Sequence, residues 1–525
     1  MNLNPVIWPL LLPLLSAIVL LLVGKLPKVQ RGINLLSGTL LVVFSLNAMQ
    51  FALSNDPQAY ALGNWPAPFG IILVLDQLSA LMLVITSLLA IAALWFAIRQ
   101  NSDRLGANFH VLWQLQLFGL NGAFLTGDLF NLFVFFEVLL LASYGLLLHG
   151  GGRRKTKAGL HYVALNLLGS TLFLFAVGAL YGTLGTLNMA DLAQKIAVIP
   201  EQNQALVASA GLLLLVVFAI KAAMFPLYLW LPQAYANTTA PVAALFAIMT
   251  KVGIYAIIRV HGMLFGEGAG ELAGLHFSWL LWLGLATLLF AAFGALAAAS
   301  LRQLVAYLVV ASVATLLVAI GINQPESMPA TLFYLIHSTF IAGGLFLLAD
   351  YIRQGRPQHA DKLLPDFAMP RIALIGSVFL FGSIAISGMP PLSGFFGKLL
   401  ILRSALQHPD FWWILTTILS TSLLIIIALV RAGSVIFYQT LPQEKCHTRD
   451  GTAICANPSI NMLGCGSIVG LLSIGVILTL FAQPIFSLTE SISQQLADNK
   501  RYQQQVLQLQ PKDNPHKTLH WEGIQ

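Results

Sequence analysis

Residues 129–149, LFNLFVFFEVLLLASYGLLLH, carry one carboxylate, Glu137, in the middle of an otherwise apolar run. An ionised side chain at that depth is expensive on any insertion scale, so it is retained for a partner, a task or both. Lysines occupy similar settings. Lys251 is central in AALFAIMTKVGIYAI, and Lys221 precedes Pro226 in AIKAAMFPLYLWLPQ. Lys398 follows Pro390 and Pro391 in SGMPPLSGFFGKLLIL, and His337 lies within LFYLIHSTF. Low dielectric disfavours the charged form of lysine and of glutamate alike, so such groups change charge near neutral pH. A row of them is suited to passing protons. Proline removes a backbone hydrogen bond and breaks or bends a helix, and carbonyls freed at membrane depth need protein or water partners. Two lysines therefore stand beside expected helix breaks. A single buried charge could merely hold helices together; several central ones, two of them at breaks, favour a relay. For His337 alone, a structural histidine fits nearly as well.

The elements that position these groups follow from composition. The chain has 525 residues, 58% of them hydrophobic and only 9% charged, where a soluble domain carries about a quarter charged. The expected fold class is an all-α polytopic membrane protein. Fourteen apolar runs reach span length, at 5–24, 32–53, 78–98, 108–127, 129–149, 159–183, 206–230, 240–262, 277–299, 301–322, 329–352, 371–403, 411–438 and 460–487. The seventh and twelfth contain internal prolines. A polar tail over 488–525 completes the chain.

The net charge of +7 is explained by loop anchors rather than by a nucleic-acid partner. Loops after odd-numbered runs hold Lys25, Lys28, Arg31, Arg99, Arg104, Arg153, Arg154, Lys155, Lys157, Arg302, Arg353, Arg356, Lys362, Arg371, Arg431, Lys445 and Arg449. The opposite loops hold only Lys195 and Arg403. This bias places the odd loops in the cytoplasm and both termini outside. Arg259, near the end of the eighth run, is expected to snorkel to the outer interface. HGGGRRKTK (149–157) lacks the preceding strand and the spacing of a phosphate loop, and reads as a basic anchor. Cys446, Cys455 and Cys465 match no metal spacing. No cofactor and no metal site is expected.

The strings GDLFNLFVFFEVLLLASYGLL, KAAMFPLYLWLPQAYANTTAPVAALFAIMTKVGIYAIIRV and SGMPPLSGFFGKLLIL resemble signature segments of antiporter-like membrane subunits. That family includes the Mrp (Mnh or Pha) multisubunit cation/proton antiporters and the proton-pumping subunits of respiratory complex I. The resemblance implies two inverted five-helix repeats, helices 4–8 (108–262) and 9–13 (277–438), with broken helices 7 and 12. It precedes them with a three-helix segment (1–107) and follows them with a last span (460–487). It further implies that Glu137 pairs with Lys221, and that Lys251, His337 and Lys398 continue a mid-membrane proton relay. Relatives often add a lysine just after the His337 position, and this sequence has none. The short tail and Lys398, where one complex I subunit typically carries glutamate, favour a D-type Mrp subunit. Its expected partners are the other subunits of the complex, protons, Na⁺ or K⁺, and membrane lipids, in a bacterial cytoplasmic membrane. A complex I-like or hydrogenase proton-pumping subunit is the alternative reading, and a passive scaffold a third.

Overall fold

Long apolar stretches punctuated by Asp, Asn, Ser and Gly become helices in the computed structural model, which describes residues 4–24, 26–441 and 462–509. Lys25, Lys445, Arg449, Cys446, Cys455 and the end of the tail lie outside the described residues. In chain order the helices are α1 Trp8–Val23, α2 Pro27–Ser54, α3 Gln77–Arg99, α4 Phe109–Leu125, α5 Leu129–Leu148, α6 Arg153–Leu184 and α7 Met189–Ala197. Next come α8 Glu201–Ala222, α9 Trp230–Asn237, α10 Ala240–Phe246, α11 Met249–Ala256, α12 Gly262–Leu264, α13 Phe277–Ala297 and α14 Leu301–Ile322. The last are α15 Ser327–Gly355, α16 Ile372–Ser387, α17 Ser393–Ser404, α18 Phe411–Gly433, α19 Cys465–Leu480, α20 Ala482–Ala497 and α21 Asn499–Leu507. Two small strand pairs join them. Strand β1 (Gln58–Ala61) runs antiparallel to β2 (Ile72–Leu75), with Gln58 opposite Leu75. Strand β3 (Asp366–Phe367) pairs in parallel with β4 (Thr440–Leu441).

The chain is an all-α polytopic membrane protein. Among the described residues, 11 helical segments are long and apolar enough to cross a bilayer, against the fourteen expected. Of the other three expected runs, the first and fourth form α1 (16 residues) and α4 (17 residues), and the twelfth forms α16 and α17 (16 and 12 residues), each short of the roughly 20 residues a straight span needs. Helix α6 starts at Arg153, so the basic cluster expected in a loop forms its first turns. The run expected over 460–487 stops at Leu480, and a separate helix follows.

Local signals explain the joins. Asp76 and Ser79 form a reciprocal capping box on α3. Asp128 accepts from the Asn131 amide (2.9 Å) to start α5, and Ser300 from the Gln303 amide (3.3 Å) to start α14. Helix α15 is buried along nearly its whole length and packs against α10, α14, α17 and α19. Exposed Leu22, Leu160, Phe175, Trp412 and Val430 lie on the outer helices, as a lipid-facing surface requires.

Each end of the bundle is tied by polar contacts. At one end, α20 and α21 close over the β1–β2 hairpin and α3. The Gln77 amide donates to Gln495 (2.8 Å), Arg501 pairs with Asp56 (3.1 Å), and Asn499 donates to the Gly262 carbonyl (3.3 Å). The other end gathers Arg31 on Asp103 (2.6 Å), Arg302 on Asp361 (2.9 Å) and Arg431 on the Ala298 carbonyl (3.0 Å).

Arg259 corrects its expected place. It does not snorkel but is buried against Asp76 at 2.5 Å, with the Tyr255 and Tyr502 rings 5.6 and 5.3 Å away. A carboxylate from a distant loop and two aromatic faces replace water around the guanidinium. Removing one member strands the other charge, so Asp76→Ala and Arg259→Ala should each cost about 3–5 kcal/mol. The thermal unfolding temperature of the detergent-purified chain reads this directly.

Asp103 ties α2 to α4 at the opposite end. Burial would raise its carboxyl, but hydrogen bonds from His110 and Arg31 and the Arg31 charge bring it down to about 2. The folded value lies below that of the unfolded chain. The resulting stabilisation, roughly 2 kcal/mol, is therefore fully present above about pH 4 and is lost as the pH falls toward 2. Asp103→Asn should lower the unfolding temperature at neutral pH and flatten its fall between those two pH values.

Candidate functional site

The five sequence-selected groups lie on helices that touch in succession: Glu137 on α5, Lys221 on α8, Lys251 on α11, His337 on α15 and Lys398 on α17. Helix α6 lies between α5 and α8, and α14 between α11 and α15. A row of titratable side chains thus crosses the bundle.

The first expected contact has a different form. Glu137 and Lys221 make no direct ion pair; α6 supplies a partner to each. Ser170 Oγ donates to the Glu137 carboxylate, and the buried Lys221 Nζ donates to Asn166 Oδ1 at 3.3 Å. Asn166 and Ser170 are one helical turn apart, so both face the same groove. Asn166 is held in turn, its Nδ2 donating to the Tyr162 carbonyl at 2.9 Å. The Lys221 ammonium also lies 5.8 Å from the Phe136 ring. Beside it is a cavity of about 10 Å³ lined by residues of α5, α6, α8, α9 and α11, room for about one water molecule. Nearby polar residues add no bridge: His161 is exposed on α6, and Thr250 donates to the Ala247 carbonyl of its own turn.

Both expected breaks are present. Helix α8 ends one residue after Lys221, and Ala223 turns left-handed (φ 58°). The freed Ile220 carbonyl accepts from Trp230 Nε1 at 3.1 Å, and the Phe225 amide donates to Thr287 Oγ1 at 2.9 Å. Pro226 opens the short turn before α9. Helix α16 ends at Gly388 (φ 80°), a conformation glycine adopts without steric cost. The segment with Pro390 and Pro391 then leads into α17. There Lys398 reaches back, Nζ donating to the Ser387 carbonyl at 2.8 Å and to Ser422 Oγ on α18 at 2.9 Å. A cation thus caps a helix C-terminus at membrane depth, where the dipole favours it.

Lys251, fully buried, donates to Ser312 Oγ on α14 at 3.1 Å. His337, also fully buried, places Nδ1 2.8 Å from Ser393 Oγ at the start of α17. That approach depends on Gly394, where a Cβ would overlap the Ala385 carbonyl and come within 2.9 Å of His337 Nε2.

The three lysines of the row share one feature: each ammonium meets neutral oxygens. Several arginines meet carboxylates instead, as in Arg259–Asp76, Arg31–Asp103 and Arg302–Asp361, while Arg356 and Arg431 donate to backbone carbonyls. An ammonium on a hydroxyl, amide or carbonyl oxygen is held in place with no carboxylate in direct contact with its proton. Sequence reasoning missed Ser170, Ser312, Ser393 and Ser422, whose only signal is a hydroxyl within an apolar run.

Fold and site together define an ion-translocating membrane protein with a charged axis at mid-depth. A family model described as NADH:quinone oxidoreductase/Mrp antiporter, transmembrane, matches residues 126–424, and the chain belongs to that family. It is 40% identical to a probable D-type K⁺/H⁺ antiporter subunit of Rhizobium meliloti (strain 1021), over 95% of this chain and 97% of that protein. It is 37% identical to a D-type Na⁺/H⁺ antiporter subunit of Bacillus subtilis (strain 168), over 82% and 86% respectively. Among solved structures it is similar to a chain of the Mrp complex from Dietzia sp. DQ12-45-1b, with TM-score 0.83, 28% identity, and 95% and 98% of the two chains covered.

Gly394→Ala should separate α15 from α17. The overpacking should cost about 1–3 kcal/mol, seen as a lower unfolding temperature, with ion-coupled proton flux falling in parallel.

Proposed function

We propose that this chain is the D-type component of a multisubunit Na⁺ or K⁺/H⁺ antiporter of the bacterial cytoplasmic membrane, with both termini on the outer side. Segments 108–262 and 277–438 act as inverted repeats, each contributing one broken span. Protons move along Glu137, Lys221, Lys251, His337 and Lys398. When Lys221 gives up a proton it becomes a neutral amine, and a neutral Lys251 that takes that proton becomes an ammonium. Lys398, at its own helix break, is the terminal group facing a neighbouring subunit or an outer half-channel. Other subunits of the complex carry the cation and complete the exchanger.

The observation that carries this reading is the set of three lysines, Lys221 and Lys251 buried and Lys398 half-buried, each held by neutral oxygens. Such groups exchange protons and are poor structural clamps. The family also contains NADH:quinone oxidoreductase subunits, so a proton-pumping role in a respiratory complex is the second reading. The neighbouring genes separate the two: small antiporter subunits in one case, dehydrogenase subunits in the other.

Glu137→Ala should abolish cation-dependent proton flux in vesicles containing the assembled complex, with the chain still in the membrane. At Lys398, alanine should block turnover, glutamate should keep part of it, and arginine should fail because it does not release a proton. A passive scaffold predicts the reverse order, with arginine tolerated best because it preserves the charge. Flux near the unsubstituted rate in Glu137→Ala, at equal expression, ends the relay reading.

A further inference from the structure

Helix α6 places one side chain against each member of the expected pair, Ser170 on the Glu137 carboxylate and Asn166 on the Lys221 ammonium. Ser170 has a single hydroxyl proton and two acceptors in reach, the Glu137 carboxylate and the Asn166 carbonyl at 3.1 Å. Donating to Glu137 compensates that carboxylate without Lys221. Donating to Asn166 releases Glu137 to turn elsewhere. The Asn166 amide has a fixed orientation, since its Nδ2 is committed to the Tyr162 carbonyl and its Oδ1 therefore faces Lys221. The ammonium so held lies at the wall of the one-water cavity, whose far side is Met249 and Val252 on the helix that carries Lys251.

From this geometry we infer that Asn166, backed by Ser170, is the positioning residue that decides whether the Lys221 ammonium faces Glu137 or the side of the bundle leading to Lys251. The inference rests on the relay reading above. In the arrangement described, Asn166 holds Lys221 toward the cavity while Ser170 occupies Glu137. In the alternative one, Lys221 leaves Asn166 and closes on Glu137, and the Ser170 hydroxyl returns to its own helix. The titratable groups facing Lys221 are Glu137 on α5 and Tyr162 on α6. Helices α9 and α11 present Trp230, Met249 and Val252, all uncharged. The choice of partner therefore lies between one carboxylate and one amide, and substitution of the amide biases it in a known direction.

The experiment measures cation-dependent proton flux across a pH series, in vesicles from cells expressing the chain with its partner subunits. The variants are Asn166→Ala, Asn166→Asp, Ser170→Ala and, as a control on the relay itself, Glu137→Gln. Asn166→Ala removes the competing oxygen, so Lys221 closes on Glu137 and releases its proton less readily. Maximal rate should fall about tenfold, the loss expected from roughly 1.4 kcal/mol on the barrier, and the pH profile should move toward alkaline values with the apparent cation affinity unchanged. Asn166→Asp keeps shape but adds a carboxylate, and should lose more rate with the same alkaline shift. A merely structural Asn166 predicts the opposite, with the isosteric aspartate tolerated and the profile fixed. Ser170→Ala should give a smaller shift of the same sign, and it decides the matter where an Asn166 variant is inactive. Unshifted or acid-shifted profiles in Ser170→Ala and the active Asn166 variants overturn the inference. If Glu137→Gln keeps full flux, the relay reading falls as well; if that variant is dead while the Asn166 and Ser170 variants behave like the unsubstituted chain, only the positioning role is lost.

Discussion

An ammonium buried in a helix bundle must find an oxygen, and the kind of oxygen settles what the ammonium is able to do. A carboxylate cancels its charge and fixes its proton; a carbonyl, amide or hydroxyl oxygen holds it in place and leaves the proton exchangeable. Three arginines, which do not deprotonate in proteins, sit on carboxylates at Asp76, Asp103 and Asp361, while Arg356 and Arg431 sit on backbone carbonyls. Lysine is placed at mid-depth on Asn166, Ser312, Ser422 and the end of a broken helix. Lys195, on the short α7, pairs with Asp191 within its own helix and lies outside this row.

The two helix breaks solve the same backbone problem with different chemistry. Each leaves carbonyls without an intrahelical donor. At the α8 break the Trp230 indole supplies one, a group that carries no charge and does not titrate. At the α16 break Lys398 supplies it. The first break is thus independent of proton occupancy, which leaves Lys221 free to be directed by α6. At the second, the group that caps the helix is itself titratable, so backbone geometry and proton occupancy are coupled there. The two breaks are alike in outline and unlike in their wiring.

Much of this was legible in sequence because an ionisable residue in an apolar run is conspicuous, and because proline marks where a helix stops. Glu137, Lys221, Lys251, Lys398 and both breaks stand out for those reasons. Their partners do not. A serine such as Ser312 or Ser422 is common in membrane helices, and only tertiary packing shows which one meets an ammonium. The spacing of Glu137 and Lys221 across α6 was likewise hidden, since sequence gives membership of a helix and not the distance between helices. Arg259 was misjudged because its position near a helix end suits snorkelling, while its true partner, Asp76, caps a helix far away in the chain. Residues 488–507 of α20 and α21 read as a polar tail because few of their residues are apolar, with Thr489, Ile492, Tyr502 and Val506 buried and the rest half-buried or exposed.

That Asp76–Arg259 pair also joins distant parts of the chain. Asp76 precedes α3, Arg259 follows α11, and the Tyr502 ring that faces the guanidinium lies on α21. Three segments far apart in sequence therefore converge on one buried charge, so displacing α21 would take an aromatic face from an ion pair that α21 itself does not supply.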